Sequence, residues 1–358
     1  MSVAKTTYGT WRVRVYAEAY ADGTRRVIQK TCKTKAEAVA LEAHYKEIYR
    51  VSDVLKRDMR LDDFAMTVYL PYIKPRVRYT SYIGFEQVIR NTIAPTLGAL
   101  TLQSITRVDV QRMIDTKPTH KTATKAREVL RQIFTCAREL GYVSSNVAKE
   151  SYRFPRRTKH PDEHNGTWLT SFEAIDAYLD KLQGTPFYLP ALIGLSLGLR
   201  KGEIFGLNWE DIDFSSKIVH VQRTYVLEEG GYKLMPPKTY ESNRRIPMRP
   251  RLYNDLKEIK AAQNAKYKRA RGAVVANRYN QRRSPAKTAE TWKRYAVNHD
   301  IEFVSYLNMR HSFATACLNA GIDVTKVSKL LGHTNITTTV KRYVRFRAED
   351  LTSAFDEL

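Results

Sequence analysis

The sequence predicts an α+β protein of several domains. A small sheet with one helix is expected at the N-terminus, followed by a helical domain and then a larger mixed, mainly helical domain. The chain has 358 residues, more than one typical domain holds. Strand-like alternation is concentrated near the N-terminus and gives way to helical periodicity. Residues 151–166 then interrupt that periodicity with a basic segment that contains two prolines.

The N-terminal segment alternates between apolar and basic side chains. The alternating residues are Trp11, Arg12, Val13, Arg14 and Val15. Asp22-Gly23 predicts a tight turn, and residues 25–31 predict a returning strand. Thr34 and Glu37 have the spacing of a capping box, which predicts a helix over residues 36–49. The result is a strand-strand-helix unit with a basic face.

Residues 61–148 show helical periodicity throughout. Four apolar stripes are expected to form the core of this region: Phe64, Val68, Tyr69 and Tyr72; Val88, Ile89 and Ile93; Val108, Met113 and Ile114; and Val129, Ile133, Phe134 and Ala137. Lys121, Lys125, Arg127 and Arg131 stand between the apolar residues. These basic side chains face either solvent or a phosphate backbone.

The last domain mixes helical and strand patterns. Helices are expected over residues 172–182, 189–197, 312–320 and 324–331, and strands over 217–226 and 232–247. Residues 264–294 are basic and carry aromatic side chains between the charges. No internal repeat and no phosphate-binding GxxxxGK loop is present in the sequence.

The charge balance points to a polyanionic partner. The chain carries 60 lysine and arginine residues against 37 aspartate and glutamate residues, a formal net charge of +23. The net charge is +6 over residues 1–60, +9 over 61–160 and +8 over 161–358. A phosphate polyanion gripped along much of the protein explains this spread better than a generally basic surface. We therefore expect nucleic acid as a partner. The N-terminal sheet is either large enough to lie in a DNA groove and does so, or it is an ordinary half-exposed hairpin, and its pattern favours neither.

Several classes of protein do not fit the sequence. No apolar run approaches 18 residues, and the N-terminus lacks the apolar core of a secretory signal. The three cysteines, Cys32, Cys136 and Cys317, are far apart and form no CxxC pair. We therefore expect a cytoplasmic protein without membrane association, disulfide framework or cysteine-rich zinc site.

The candidate chemistry is confined to three stretches of the last domain. The sequence has no HExxH motif and no carboxylate cluster with the spacing of a two-metal nuclease. A nuclease without metal must offset the phosphate charge with its own cations and supply its own nucleophile. Such groups occur in GLSLGLRKGEIFGLNWEDID (residues 194–213), PPKTYESNRRIPM (236–248) and LNMRHSFATACLNAGIDVTKVSKLLGHTNITTTVKRYVRF (307–346).

Taken in order, these blocks resemble the tyrosine recombinase (phage integrase) family. The resemblance covers residues 168–350 and is carried by GLRKGEIFGLNWEDID, KTYESNRRIP, RHSFAT…AGID…VSKLLGH and the ten-residue interval from His333 to Tyr343. Residues 61–150 resemble the family's helical core-binding domain, partly through Pro95-Thr96-Leu97-Gly98. Residues 8–48 resemble the three-stranded arm-site-binding domain of integrases from temperate phages and conjugative elements, through GTWRVRV, the DG turn and KTKAEA.

The resemblance implies five catalytic residues. Two guanidiniums can bind the non-bridging oxygens of a phosphodiester and stabilise the charge that grows in the transition state, and Arg200 and Arg310 are at the matching positions. Tyr343 is the expected nucleophile, which would form a 3′-phosphotyrosyl bond and release a 5′-hydroxyl. Lys238, on an expected flexible β-hairpin, would protonate the leaving oxygen. His333 would hydrogen-bond to the scissile phosphate; capping of the preceding helix is its alternative role.

One position departs from the family pattern. The family usually has a histidine three residues before the second arginine, and Leu307 stands there instead. Either Tyr306 or Asn308 substitutes for the missing group, or the enzyme works without it, or it is impaired. Glu203 and Asp211 also occupy matching positions, and we expect them to hold the turn that carries the first arginine.

The function implied by the resemblance is site-specific DNA recombination by an integrase of a temperate phage or integrative mobile element. No cofactor is expected, because the phosphotyrosyl bond conserves the energy needed for religation. The implied partners are double-stranded DNA with core and arm attachment sites, three further protomers in a homotetramer, a host DNA-bending protein and an excisionase. The alternatives are a type IB topoisomerase-like nicking enzyme and a non-catalytic DNA-binding protein on a decayed recombinase scaffold.

The implied domain order assigns DNA contacts to three segments. The domains are an arm-type DNA-binding domain (1–55), a helical core-binding domain (61–150), a basic linker (151–166) and a catalytic domain with a C-terminal tail (167–358). The expected DNA-binding residues are Arg12, Arg14, Lys121, Lys125, Arg131, Arg156 and Arg157. The tail, residues 344–358, has an apolar helical face, which would dock onto a neighbouring protomer or pack on its own domain.

Overall fold

The chain divides into two compact units, Met1–His160 and Pro161–Leu358, in the computed structural model. The structure describes residues 3–6, 9–19, 25–44, 58–156, 168–237, 240–267 and 272–343. Several expected features lie outside the described residues: the turn at Asp22-Gly23, Arg157, Lys238 and the tail over residues 344–358.

The first unit begins with a three-stranded antiparallel sheet. Strands β1 (Val3–Lys5), β2 (Trp11–Ala19) and β3 (Arg25–Cys32) lie in the order β1-β2-β3. Val13 of β2 lies opposite both Val3 and Lys30, and the ladder is irregular between Tyr16 and Ala19. The pattern of the sequence predicted two of these strands, and the family resemblance implied the third.

A helix follows the sheet and completes its small core. Helix α1 covers residues 35–44 in the described part of the chain. It begins at the predicted capping box, in which Glu37 N donates to Thr34 Oγ1 at 3.2 Å and Thr34 N donates to Glu37 Oε2 at 3.3 Å. Val13 and Ala38 are buried together, so one face of β2 packs against α1.

Residues 61–149 of the first unit are mainly helical, as predicted for residues 61–148. Its segments are α2 (Leu61–Phe64), a π-helical segment (Ala65–Tyr69), α3 (Leu70–Ile73), a 3₁₀ turn (Lys74–Arg76), α4 (Tyr79–Val88), a second π-helical segment (Ile89–Gly98), α5 (Arg107–Asp115), α6 (His120–Glu139) and a 3₁₀ turn (Val147–Lys149). The apolar faces of these helices form one continuous core. Three of the four predicted stripes contribute all their members to it.

The third predicted stripe is wrong at one position. Val108 is 64% exposed, whereas Val110, Met113 and Ile114 of the same helix are buried. The buried residues have i, i+3, i+4 spacing, and Val108 precedes Val110 by two positions, which places it about 200° around the helix. The stripe of α5 therefore begins at Val110.

The second unit combines eight helices and five strands among its described residues. They are α7 (Phe172–Leu182), α8 (Tyr188–Leu197), α9 (Lys201–Gly206), β4 (Ile212–Asp213), β5 (Ile218–Val221), β6 (Thr224–Glu228), β7 (Gly231–Met235), β8 (Arg244–Pro247), α10 (Pro250–Tyr267), α11 (Pro285–Asn298), α12 (Tyr306–Asn319), α13 (Val324–Leu331) and α14 (Ile336–Tyr343). Helix α8 is buried along almost its whole length and lies in the main core. Within the described ranges, no helix has both the length and the apolar character that crossing a membrane requires.

The strands pair differently from the single hairpin expected around residue 238. β7 pairs with β6, whereas β8 pairs with β5, so the strands on either side of Lys238 belong to different sheets. The predicted strand over 217–226 is interrupted at Gln222 and Arg223, whose side chains bond to Asp211 and Glu210. That break separates β5 from β6 and sends β6 into its own two-stranded sheet.

Helix α12 begins six residues earlier than predicted. Ser305 is its N-cap, and its hydroxyl accepts from Asn308 N at 3.1 Å. The first turns are mostly buried, so they lack the amphipathic period that marks a helix in the sequence. The earlier start places Arg310 inside the helix, one turn after Leu307.

Gly198 ends α8 in a left-handed conformation, with φ +62°, and an added Cβ would lie 2.4 Å from Phe313 Cδ1. We expect Gly198→Ala to lower the free energy of unfolding by about 2–5 kcal/mol, from the left-handed backbone and the clash together. Urea unfolding followed by tryptophan fluorescence measures this, since three of the four tryptophans lie in the second unit.

Gly184→Ala is the matched control for this substitution. Gly184 also has a positive φ, +75°, but no atom lies within 4 Å of its added Cβ. It should therefore lose only the backbone contribution, about 1–2 kcal/mol. Equal losses in the two variants would show that the contact with Phe313 does not constrain Gly198.

Candidate active site

Three arginines converge on the C-terminal end of helix α13. The last carbonyls of a helix have no partner within the helix, and they carry the negative end of its dipole. The arginines come from three separate elements and donate to consecutive carbonyls: Arg244 Nε to Leu330 O at 2.6 Å, Arg310 Nη2 to Leu331 O at 2.7 Å and Arg200 Nη2 to Gly332 O at 3.2 Å. The predicted catalytic residues Arg200 and Arg310 are therefore neighbours in space.

A glycine is required at the end of this helix. Gly332 has φ +67°, and a Cβ there would lie 2.8 Å from the backbone oxygen of Glu241. The segment before β8 thus packs directly on the turn after α13. This explains the glycine in the LLGH block, whose histidine follows the turn.

Glu203 is the carboxylate that balances the arginines. It is buried, and it accepts from Arg200 N, Arg200 Nη1 and Arg244 Nη2, each at 2.9 Å. Burial raises the pKa of Glu203, but the charge and hydrogen bond of Arg244, followed by those of Arg200, outweigh burial and hold the pKa below its ordinary value. The expected structural role of Glu203 is confirmed.

Asp211 has a different role from the one expected. Its carboxylate accepts from Asn208 N at 2.8 Å and from Gln222 Nε2 at 2.8 Å, and it pairs with Arg223 at 3.1 Å. These contacts hold the turn after α9 and the break between β5 and β6. The prediction that Asp211 holds the Arg200 turn is wrong, because Glu203 alone of the two carboxylates bonds to Arg200 in the described contacts.

The two predicted catalytic arginines differ in exposure. The side chain of Arg200 is 43% exposed, whereas Arg310 is only 4% exposed as a residue. Arg310 Nη1 also donates to Gly198 O at 2.9 Å, which ties α12 to the end of α8. Arg200 therefore presents its charge at the surface, and Arg310 supplies charge from beneath it.

His333 and Tyr343 are linked through helix α14. His333 Nδ1 and Thr339 Oγ1 are hydrogen-bonded at 2.7 Å, and Thr339 is fully buried. Tyr343 is the last residue of the same helix, one turn after Thr339. The side chain of Tyr343 lies outside what the structure describes. The helix that orients His333 is thus the one that carries the expected nucleophile.

Leu307 lies at the surface, 59% exposed, beside a cavity of about 220 Å³ that Lys201 also lines. Neither expected substitute shares that exposure. Tyr306 is buried against Phe205, with ring centroids 5.5 Å apart, and burial raises its pKa. Asn308 is 5% exposed. Tyr306 is therefore poorly placed to exchange protons with a substrate at this surface.

Ser242 and Arg244 belong to this site, although the sequence marked them only as context for Lys238. Ser242 Oγ accepts from Arg200 Nη1 at 3.4 Å, and Ser242 O accepts from Arg244 Nη1 at 3.1 Å. Both residues are buried. The signal in the sequence was the KTxxSxR spacing, in which Ser242 and Arg244 follow Lys238 within the strand predicted over residues 232–247.

The N-terminal sheet has an open basic face. Arg12 and Arg14 are exposed on the side of β2 opposite buried Val13. Their cross-strand neighbours on β3, Thr31 and Gln29, are exposed as well. Within the described residues, helix α1 packs on the other face, that of Val13.

The basic candidates of the helical region have different surroundings. Lys121 and Lys125 are exposed on α6, and Lys125 Nζ lies 4.9 Å from the ring centre of Phe85. Arg131 is paired with Glu128 through two hydrogen bonds, at 2.6 and 3.1 Å, which the sequence did not indicate. Arg156 is exposed at the end of the described part of the first unit.

Two protein-family models match the chain. The model described as the phage integrase family matches residues 172–350, half of the chain, and the model described as the phage integrase N-terminal SAM-like domain matches residues 64–117. A tyrosine recombinase XerC-like protein of Caldanaerobacter subterraneus is 27% identical, over 99% of this chain and 98% of the relative. The ICEBs1 integrase of Bacillus subtilis is 22% identical, over 96% and 95%.

Solved structures show the same fold. The integrase of transposon Tn1549, in complex with a circular intermediate DNA, has a TM-score of 0.66 at 21% identity and covers 84% of this chain and all of the solved one. A lambda integrase dimer bound to a core site has a TM-score of 0.57 at 14% identity, over 97% of both chains. With the arginine convergence and the family-model matches, these findings establish that the chain belongs to the phage integrase family of tyrosine recombinases.

Proposed function

We propose that this chain is a site-specific DNA recombinase, the integrase of a temperate phage or integrative mobile element, which cuts and rejoins DNA through a 3′-phosphotyrosyl intermediate. One observation carries the proposal. Arg200 and Arg310 donate to the adjacent carbonyls of Gly332 and Leu331, directly before His333. A bound phosphodiester at this helix end would meet two guanidiniums and an imidazole together.

The charge of the site suits a transesterification. The guanidiniums of Arg200 and Arg310 would bind the non-bridging oxygens and stabilise the extra negative charge of the pentacoordinate transition state. Tyr343 Oη would lose its proton and attack phosphorus, while the bond from phosphorus to the 5′ oxygen breaks. The phosphate ester bond is exchanged rather than hydrolysed, so the reverse attack by a 5′-hydroxyl reseals the strand and restores the tyrosine.

Lys238 is proposed as the acid that protonates the departing 5′ oxygen. The described residues that follow it support this role. Ser242 accepts from Arg200 at 3.4 Å, and the segment containing Glu241 packs on Gly332. Lys238 precedes Glu241 by three residues in the sequence.

The DNA contacts and the assembly follow from the same proposal. Arg12 and Arg14 would read arm sites from the open sheet face, and Lys121, Lys125, Arg131, Arg156 and Arg157 would contact the core-site backbone. Solved lambda integrase structures include a dimer on a core site and a tetramer on a Holliday junction. We propose a homotetramer on DNA, assisted by a host DNA-bending protein and an excisionase, that acts in the cytoplasm.

Tyr343→Phe should abolish the covalent adduct on a nicked suicide substrate that carries the attachment junction. It removes only the phenolic oxygen, so DNA affinity in a gel-shift assay should stay close to that of the wild type. Tyr279→Phe is the control, since Tyr279 is 65% exposed and lies outside the site. It should form the adduct normally.

The same assay separates the proposed function from its alternatives. Adduct on one defined sequence supports a recombinase, whereas relaxation of any supercoiled DNA supports a topoisomerase-like enzyme. A wild-type protein that binds the junction and forms no adduct is a decayed scaffold. Adduct in Tyr343→Phe would assign the nucleophile to another tyrosine.

Leu307→His should restore the proton-exchanging group that the family usually places one turn before Arg310. We expect cleavage at least about tenfold faster, since a positioned acid or base contributes about 10²–10⁴-fold. The gain should follow the titration of an imidazole near neutral pH. Val297→His, at another exposed apolar position (72%), is the control. Equal rates for the two variants would show that position 307 does not face the scissile phosphate.

The open sheet face can be tested by salt dependence. Arg12→Ala with Arg14→Ala should abolish arm-site binding and reduce the slope of log K against log salt by about two, one for each phosphate that the variant no longer neutralises. Adduct formation on core DNA should persist. Lys5→Ala with Lys30→Ala removes the same charge from the other face of the sheet. The two lysines are the cross-strand partners of Trp11 and Val13, and directly paired side chains share one face. An equal loss of arm-site affinity in the two double variants would show that the face of Arg12 and Arg14 does not bind the arm sites.

A further inference from the structure

All three guanidinium nitrogens of Arg244 are hydrogen-bonded. The residue is 8% exposed, and each nitrogen donates to a different group: Nε to Leu330 O at 2.6 Å, Nη1 to Ser242 O at 3.1 Å and Nη2 to Glu203 Oε2 at 2.9 Å. These bonds hold the guanidinium of Arg244 against Leu330, Ser242 and Glu203. Its partners are therefore a route by which Arg244 can affect the reaction.

The partners of Arg244 are also the partners of Arg200. Glu203 accepts from both guanidiniums, one on each carboxylate oxygen. Ser242 accepts from Arg244 through its carbonyl and from Arg200 through its hydroxyl. The orientation of the exposed Arg200 is therefore set by two groups whose own positions depend on Arg244.

Arg244 is held between the β-sheet and the end of α13. It is the first residue of β8 and lies opposite Val221 of β5 in the antiparallel ladder. A Cβ added at Gly332 would lie 3.2 Å from Arg244 Cδ, which shows how closely its stem approaches the turn before His333. Arg244 thus joins the sheet to the end of α13 as well as to Glu203.

We propose that Arg244 is a positioning residue for DNA cleavage, which aligns Arg200 through Glu203 and the His333 turn through the carbonyl of Leu330. This rests on the proposed recombinase function. Misplacement of a charge by about 1 Å can cost on the order of 100-fold in rate, so the alignment has a measurable kinetic value. A purely structural role would instead lower stability without a specific link to Arg200.

A double-mutant cycle between Arg244 and Arg200 tests the proposal on the full chain. Single-turnover cleavage of a suicide substrate is measured for wild type, Arg244→Lys, Arg200→Lys and the double variant, with junction affinity and melting temperature. Arg244→Lys keeps the charge but cannot make three divergent bonds. Arg251→Lys is the matched control, because Arg251 also bonds to a carbonyl and carboxylates, at Asp176 and Asp180, away from α13.

We expect Arg244→Lys to slow cleavage by roughly 10–100-fold with DNA affinity unchanged, and Arg251→Lys to slow it less than about threefold. In the Arg200→Lys background, Arg244→Lys should slow cleavage by less than about threefold further, since lysine at position 200 has no planar guanidinium left to align. Should Arg244→Lys fail to fold, Glu203→Gln with Arg244→Met removes both buried charges together and enters the same cycle.

The outcomes separate this inference from the proposed function. Two results would overturn the positioning role while leaving the recombinase function in place, provided that the wild type forms the adduct. In the first, the rate losses of Arg244→Lys and Arg200→Lys multiply in the double variant. In the second, Arg244→Lys cleaves as fast as Arg251→Lys. Parallel loss of affinity and rate would assign Arg244 to DNA binding or stability instead, which also overturns the inference. A wild type without adduct removes the proposed function and, with it, any step for Arg244 to position.

Discussion

The end of helix α13 is the point on which the catalytic unit depends. Three guanidiniums meet there, and their positive charges repel one another unless nearby negative charge stabilises them. The negative end of the helix dipole and the single buried carboxylate of Glu203 supply that attraction. Because Arg200, Arg244 and Arg310 come from elements far apart in the chain, the site exists only once the whole unit has folded. Its geometry is a tertiary property rather than a local one.

This arrangement leaves the site short of negative charge before DNA arrives. Among the described contacts, three guanidiniums face one ionised carboxylate, and the pKa of that carboxylate is held below its ordinary range despite burial. A phosphodiester therefore relieves repulsion as it binds, and the additional charge of a pentacoordinate phosphorus relieves it further. Arg200 and Arg244 differ in exposure, which suits them to different roles. The side chain of Arg200 is 43% exposed and can meet the phosphate, while Arg244, at 8%, keeps its partners in place.

The sequence predicted what local patterns encode and missed what tertiary contacts decide. Helices α7 and α13 match their predicted bounds because each has a capping side chain at its start and a sharp apolar face. Val108 was misassigned because one apolar residue off the stripe looks like a member of it. The single hairpin expected around residue 238 was wrong because the predicted strand over 217–226 breaks at Gln222 and Arg223, and its two parts pair with different strands. Alternation of side chains does not reveal such a break. Arg244 looked like any strand arginine, since its partners lie 41 and 86 residues away.

Leu307 is the one feature that favours a decayed scaffold, and the charge network weighs against that interpretation. A buried carboxylate with paired guanidiniums contributes little to stability, because desolvation offsets its attraction, and apolar residues of similar size can often replace it without loss. A chain that only binds DNA has no need for Glu203 and Arg244 beneath Arg200. Their bonds are all at 3.1 Å or less, and they join the strand after the expected acid to the helix end before His333. Under the proposed function, this arrangement aligns charge around a reacting phosphate. The missing histidine would then remove a proton carrier from a site in which Glu203 still bonds to both Arg200 and Arg244.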